Sequence, residues 1–181
     1  VGLRNGAIRE MARRRLSLRE FQAGLSERLT SARRGETARA LLGIISGKDH
    51  CLLELSDSGE VLPLPPLTNV PLTKPWFAGV ANVRGALYSV VDFSAFRGGE
   101  ATPRNSEARL LLVGSRHGIN SALLVNRTLG LKSLADMQEE APADNAPVWS
   151  GARYVDPSGQ AWTRLQVKPL LEDPEFLNVS N

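Results

Sequence analysis

Few side chains in this sequence could perform acid–base or nucleophilic chemistry, and their positions do not favour it. The only histidines are His50 and His117, and the only cysteine is Cys51. Neighbouring residues of a strand point to opposite faces, so His50 and Cys51 do not form a nucleophile–base pair. His117 lies in a predicted turn, and Ser115 beside it lacks the strand-to-helix elbow of hydrolases. A hydrolase remains an alternative only if distant carboxylates assemble a dispersed site.

Metal and cofactor sites are not expected either. No group of His, Cys, Asp and Glu has metal-ligand spacing, and Gly98-Gly99 lacks the lysine and helix that follow a phosphate-binding loop. A single cysteine excludes an internal disulfide framework and suits the reducing cytoplasm. No apolar run approaches the roughly 20 residues of a membrane-spanning helix. These features predict a cytoplasmic protein without cofactors.

Binding chemistry is more plausible around residues 79–92. Val80–Val83 and Leu87–Val91 have the pattern of half-buried strands, and Arg84-Gly85 between them predicts a tight hairpin turn. An arginine on a rigid turn can anchor a carboxylate or a carbonyl of a partner. The alternative is a solvated turn arginine, with Asn82 bonding its own backbone. Gly79 is expected to end a helical turn that begins at Pro75.

The rest of the chain predicts a mainly β protein in which short strands position this hairpin. Residues 1–16 are predicted to form a basic flexible arm. Residues 17–35 are predicted to form a helix that begins with a capping box at Ser17–Glu20. Strand patterns separated by turn signals then fill residues 36–181. They are expected to form a first small SH3-like barrel over about 40–97 and a second over about 107–168, each five-stranded. A short helix near the C-terminus completes the prediction.

Charge is distributed unevenly along the chain. Residues 1–39 hold ten arginines and four glutamates, a net charge of +6, whereas the remainder carries −3 and the whole chain +3. A small-barrel nucleic-acid-binding protein with a basic N-terminal arm is therefore the alternative function. That function needs exposed aromatic side chains on a basic strand face, and the aromatics here lie among acidic or apolar neighbours.

The run Gly79-Val80-Ala81-Asn82-Val83-Arg84-Gly85, followed by Val90-Val91-Asp92, resembles the signature of the CheW-type chemotaxis coupling domain. The resemblance extends over about residues 40–175. The whole chain looks most similar to the pilus-associated, PilI-type branch, whose members serve type IV pilus twitching systems. Two departures from the family pattern are Asn126, where the family commonly has Asp, and the proline-dense stretch 62–67.

The resemblance implies a non-catalytic signal-transduction adaptor. Such proteins join the cytoplasmic tip of a methyl-accepting chemoreceptor to the regulatory domain of a CheA-type histidine kinase, in arrays at the membrane. It also implies that a groove between the lobes and the hairpin take the receptor, and that an edge of the first barrel takes the kinase. Alignment with the family further predicts that Glu60 approaches Arg84. The implied protein-binding residues are Val80, Asn82, Arg84, Gly85 and Glu60, with Gly79 and Asp92 as structural members of the motif.

Overall fold

The computed structural model describes residues 41–113 and 115–181, which form eleven strands and a few short helices. The predicted arm 1–16 and helix 17–35 lie outside the described residues. The strands are β1 Leu41–Ser46, β2 Asp49–Glu54, β3 Ser58–Pro63, β4 Phe77–Val83, β5 Ala86–Asp92, β6 Arg109–Val113, β7 Ser121–Val125, β8 Arg127–Lys132, β9 Gln138–Glu140, β10 Ser150–Val155 and β11 Ala161–Leu165. The helices are α1 Phe93–Phe96, a 3₁₀ turn Ser115–His117, α2 Val167–Leu171 and α3 Pro174–Leu177.

The strands form two mixed sheets. One has six strands in the order β8-β1-β2-β11-β10-β9, and the other has five in the order β3-β6-β7-β5-β4. Each sheet contains one parallel pair, β2 with β11 and β5 with β7, among antiparallel neighbours. The mainly β fold class is therefore confirmed, with six rather than five strands in one sheet.

The division of the chain between the sheets differs from the prediction of barrels at 40–97 and 107–168. The five-stranded sheet is one continuous segment, β3 to β7, placed between β2 and β8 of the six-stranded sheet. The stretch left between the two predicted barrels, residues 98–106, therefore lies within the segment that forms the five-stranded sheet, between β5 and β6. The prediction failed because alternation identifies a strand and its buried face but does not identify its partner strand.

The five-stranded sheet rolls so that the chain beyond one outer strand meets the other outer strand. In the five-stranded sheet, Thr68, which follows β3, bridges Val80 of β4 through two backbone hydrogen bonds of 2.9 Å. In the six-stranded sheet, the outer strands β8 and β9 are consecutive in the chain and joined by residues 133–137. The bridge at Thr68 pairs part of the edge of the five-stranded sheet and gives this sheet the character of a small barrel.

Three apolar clusters hold the fold together. One lies within the five-stranded sheet and includes Ala81 and Leu110, and another, around Trp162, lies within the six-stranded sheet. The largest joins the two sheets, because it contains Ile44 from one and Leu123 from the other. The facing sides of the sheets are thus packed against each other, which fixes the hairpin β4–β5 relative to the rest of the domain.

Candidate functional site: the β4–β5 hairpin

The hairpin forms as the sequence predicts. Val83 pairs with Ala86, so Arg84 and Gly85 alone make the turn, with φ of 52° and 85°. Two successive positive φ angles define the turn type whose twist matches that of paired strands. The carboxamide Oδ1 of Asn82 accepts a hydrogen bond from the backbone N of Gly85 at 2.9 Å. Asn82 therefore stabilises the turn, and the Arg84 side chain extends from a fixed base.

Arg84 forms a two-pronged ion pair with Glu60. Its Nη1 donates to Oε2 at 2.6 Å and its Nη2 to Oε1 at 2.5 Å. Glu60 lies on β3 and Arg84 follows β4, so the pair connects the two outer strands of the five-stranded sheet. The Arg84 side chain is nevertheless 74% exposed and that of Glu60 35%. The predicted approach of these residues is confirmed, and their exposure limits the pair to about 0–1 kcal/mol of stability.

Gly79 and Val80 shape the strand that carries the turn. Gly79 does not end a helical turn, as the sequence suggested; it lies within β4 at an irregularity in pairing with β5, with φ of 124°. A Cβ at this position would lie 2.4 Å from the carbonyl oxygen of Thr68. Only glycine permits this approach, and the adjacent Val80 then exchanges backbone hydrogen bonds with Thr68. Both residues act through their backbone.

Sequence reasoning missed the apolar side chains beside the ion pair. Leu87 pairs with Asn82 across the hairpin and is 63% exposed, and Val61 next to Glu60 is 37% exposed. The alternation of side-chain direction along β5 could have revealed Leu87. Tyr88 and Val90 point inward, and Leu87 therefore points outward. The hairpin tip thus combines a charged pair with exposed apolar area, which suits protein binding.

The other end of β5 has a different character. Asp92 is only 5% exposed, and its carboxylate accepts hydrogen bonds from Ala95 N at 3.3 Å, Thr102 N at 2.7 Å and Thr102 Oγ1 at 2.7 Å. It caps α1 and anchors the segment that leads to β6. Asp92 therefore ends the strand with hydrogen bonds, in accordance with its predicted structural role.

The residues considered for catalysis are not brought together. The Cys51 thiol is buried, and burial raises its pKa to about 11 despite the opposing charge of Arg97. His50 packs edge-on against the Trp162 ring at 5.0 Å, and His117 is exposed in the 3₁₀ turn. A thiol with so high a pKa is a poor nucleophile at neutral pH.

The described residues also lack the features of a nucleic-acid platform. In the ranges 41–113 and 115–181, every tryptophan is at most 8% exposed, and no aromatic side chain is fully exposed. In the same ranges, no cluster of three or more His, Cys, Asp and Glu could hold a metal ion. None of the helices that the structure describes is long and apolar enough to cross a bilayer.

The departure at Asn126 has a structural counterpart. Its side-chain Oδ1 accepts a hydrogen bond from the backbone N of Gly47 at 2.7 Å, and its own N donates to the carbonyl of Ile45 at 2.9 Å. Asn126 lies between β7 and β8, where the chain passes from the five-stranded to the six-stranded sheet. Asn126 therefore holds the connection between β7 and β8 against the β1–β2 turn by hydrogen bonds.

Comparison with known proteins agrees with this architecture. A solved structure, the scaffolding protein TtCheW from Thermoanaerobacter tengcongensis, superposes with a TM-score of 0.64, covering 76% of this chain and 95% of that one at 15% identity. Protein PilI of Pseudomonas aeruginosa is 28% identical over 141 residues, which are 77% of this chain and 79% of PilI. The model of the CheW-like domain matches residues 40–175. The resemblance inferred from the hairpin motif is thus confirmed, and the chain belongs to the family of CheW-like domains.

Proposed function

We propose that this protein is a non-catalytic adaptor that couples a methyl-accepting chemoreceptor to a CheA-type histidine kinase and so controls type IV pilus twitching motility. The CheW-like family consists of scaffolds of chemotaxis-type signalling, and the similarity to PilI supports the pilus system. In this role the protein works in the cytoplasm, at membrane arrays of receptors. No cofactor or metal is needed, because the adaptor acts by binding alone.

The observation that carries this proposal is the exposed Glu60–Arg84 pair on a rigid hairpin. The pair holds the guanidinium in one orientation, while the 74% exposure of the Arg84 side chain leaves it accessible to a partner. A fixed guanidinium fork presents donors to carbonyl and carboxylate oxygens at a small entropic cost. The side chains and backbone that form this receptor-binding surface are those of Val80, Asn82, Arg84, Gly85 and Glu60.

Following the family resemblance, receptor binding is proposed at the hairpin tip and in a groove between the two sheets. The cytoplasmic tip of a chemoreceptor is a helical hairpin, and a helix fits a groove flanked by apolar and polar anchors. Leu87 on β5 and Val61 on β3 are exposed and supply apolar surface on the strands that flank the hairpin. The kinase regulatory domain binds elsewhere, so that both partners are held at once.

The proposal is tested by charge reversal of the pair. Arg84→Glu and Glu60→Arg should each weaken binding of a soluble receptor-tip fragment at least tenfold by calorimetry, because each leaves two like charges side by side. The double reversal should restore part of the affinity lost by either single change, since it rebuilds the pair but places a carboxylate where the guanidinium stood. A matched control is Arg153→Glu, which disrupts the exposed Arg153–Glu140 pair of the six-stranded sheet and should leave binding unchanged.

Two results would contradict the proposal. Receptor binding that survives both single reversals would remove the hairpin tip from the interface. Failure of the unaltered protein to bind either the receptor tip or the kinase regulatory domain would remove the adaptor function itself.

A further inference from the structure

A polar cleft lies beyond the end of β5 that is remote from the hairpin. Its volume is about 640 Å³, which is within the range of ligand-binding sites. One wall is the β1–β2 turn, residues 46–49, and the other is the loop 97–103 that follows α1. The seven residues of β5 separate its two ends by about 20 Å at the usual rise of a strand. The cleft is therefore a different surface from the hairpin tip.

Two serine hydroxyls and a carboxamide line the inner part of the cleft. Ser46 is 1% exposed, and its Oγ has no hydrogen-bond partner among the residues that the structure describes. Gly47 and Gly99 approach Ser94 so closely that a Cβ on them would lie 2.5 Å and 2.8 Å from its Oγ. The carboxamide is that of Asn126, whose Oδ1 accepts from Gly47 N. A buried hydroxyl without a partner weakens a fold, so its presence in the lining of a cleft points to a ligand.

The ionisable side chains of the cleft balance in sign. The described lining contains two cations and two anions, namely Lys48, Arg97, Asp49 and Glu100. Arg97 Nη2 lies 2.7 Å from Asp49 Oδ2, so these two charges neutralise each other. A phosphate or another strongly charged ligand would meet a carboxylate as readily as a cation. The cleft therefore favours a ligand without net charge.

An extended peptide meets these requirements best. Each peptide unit has one donor and one acceptor, and hydroxyls and carboxamides can serve both. A sugar ring usually also stacks on an aromatic side chain, and the lining residues that the structure describes include none. An amphipathic helix needs an apolar wall, whereas the same lining offers only the small apolar side chains of Ala101 and Pro103. An extended residue takes up about 160 Å³ at the spacings of a β-sheet, so the cleft has room for about four.

The cleft is open at its rim, and its loop wall is fixed. Lys48 and Ala101 are exposed, so a bound chain can continue past the cleft on either side. The N of Thr102 donates to the buried carboxylate of Asp92 at 2.7 Å, which anchors the loop 97–103. A wall that is ordered before binding lowers the entropic cost of binding. An open, preformed cleft suits a segment of a longer chain.

We propose that this cleft binds a short extended segment of a partner protein, about four residues long and without net charge. The bound segment supplies the hydrogen bond that the Ser46 hydroxyl lacks, and Ser94 and Asn126 hold the neighbouring peptide units. This inference goes beyond the adaptor function and does not depend on it, because the hairpin tip takes no part in it.

The probe is a library of tetrapeptides of serine, asparagine, glycine and alanine, acetylated and amidated so that they imitate the middle of a chain. Binding to the full chain is followed by NMR, and the best peptide is used for affinities. Ser46→Ala should weaken its binding about fivefold, as expected for one hydrogen bond. The midpoint of urea denaturation should stay the same or rise, because the variant removes a buried hydroxyl that lacks a partner among the described residues.

A second variant tests the cleft without touching its buried groups. Ala101→Trp places an indole in the cleft from an exposed position and should abolish peptide binding while the fold is retained. The matched control is Ala143→Trp, which alters an exposed alanine outside the cleft and should leave the affinity unchanged. Serine–glycine extensions at both ends of the best peptide should preserve its affinity, since the occupant is part of a longer chain.

Each contrary result overturns the inference. These results are the absence of peptide binding, and binding of disaccharides or inorganic phosphate in place of peptides. Loss of stability in Ser46→Ala would show that the hydroxyl already has a partner within the chain. Loss of binding on extension of the peptide would assign the cleft to a free small ligand instead. None of these experiments involves a receptor or a kinase, so their failure would leave the proposed adaptor function intact.

Discussion

Two acidic residues of very different kinds lie near the two ends of strand β5: Glu60, on β3, near its beginning and Asp92 at its own end. At its beginning, Glu60 holds Arg84 in an ion pair that is largely open to solvent. At its end, Asp92 is 5% exposed, and three donors satisfy its carboxylate. The first arrangement contributes little to folding and remains accessible to partners, whereas the second stabilises the fold and is inaccessible. A short motif thus combines an accessible arginine, for which we propose a binding function, with a buried carboxylate that stabilises the fold.

Removing the buried carboxylate should have the largest effect. Asp92→Ala leaves the Thr102 N and hydroxyl and the Ala95 N without their acceptor, so we expect a loss of about 3 kcal/mol in the free energy of unfolding. Urea denaturation measures this loss. A change below about 1 kcal/mol would show that the comparison between the two ends of β5 is wrong.

Removing the exposed pair should affect stability far less. Arg84→Ala eliminates both hydrogen bonds to Glu60 but leaves two groups that water can solvate, so the free energy of unfolding should change by less than about 1 kcal/mol. The same denaturation experiment applies, with Arg153→Ala as the control for an equally simple exposed pair. If Arg84→Ala lowered the free energy of unfolding as much as Asp92→Ala does, the main role of Arg84 would be structural.

Replacing a third carboxylate, that of Asp156, should have the smallest effect on stability, and this effect should appear only as a weaker response to acid. Asp156, in the β10–β11 turn, accepts hydrogen bonds from the Ser158 hydroxyl and the Trp162 indole, and these lower its pKa to about 2. Because the pKa is lower in the folded state, the contribution is present above the ordinary value near 4 and is lost as the pH falls towards 2. Denaturation at pH 7, 4 and 2 should therefore show a smaller acid-induced loss for Asp156→Asn. An identical pH dependence in both proteins would exclude this contribution.

Local patterns were sufficient for the hairpin but not for the arrangement of the sheets. Arg84-Gly85 between two alternating strands specifies a two-residue turn, because few residue pairs adopt two positive φ angles. No comparable local signal predicts the pairing of β2 with β11, because the paired residues Cys51 and Thr163 are far apart in the sequence. Strand β9 was not predicted either, because Gln138–Glu140 is exposed and shows no alternation of apolar and polar residues.

The candidate site was predictable to a similar degree. Asn82, Arg84 and Gly85 follow from turn chemistry, whereas Glu60 was found only by alignment with the family, because 24 residues separate it from Arg84. The role of Gly79 was misjudged, since the close approach of the Thr68 carbonyl depends on a bridge between distant segments.

The placement of the five-stranded sheet between β2 and β8 has a consequence for synthesis on the ribosome. All of its strands are synthesised before the first residue of β8, so this half can complete its hydrogen bonding while β1 and β2 still await two of their neighbours, β8 and β11. The hairpin motif is therefore assembled in a nascent chain whose C-terminal third is not yet made. A released chain that ends at residue 126 should therefore yield a compact, protease-resistant inner unit preceded by a β1–β2 ribbon whose outer edges are unpaired.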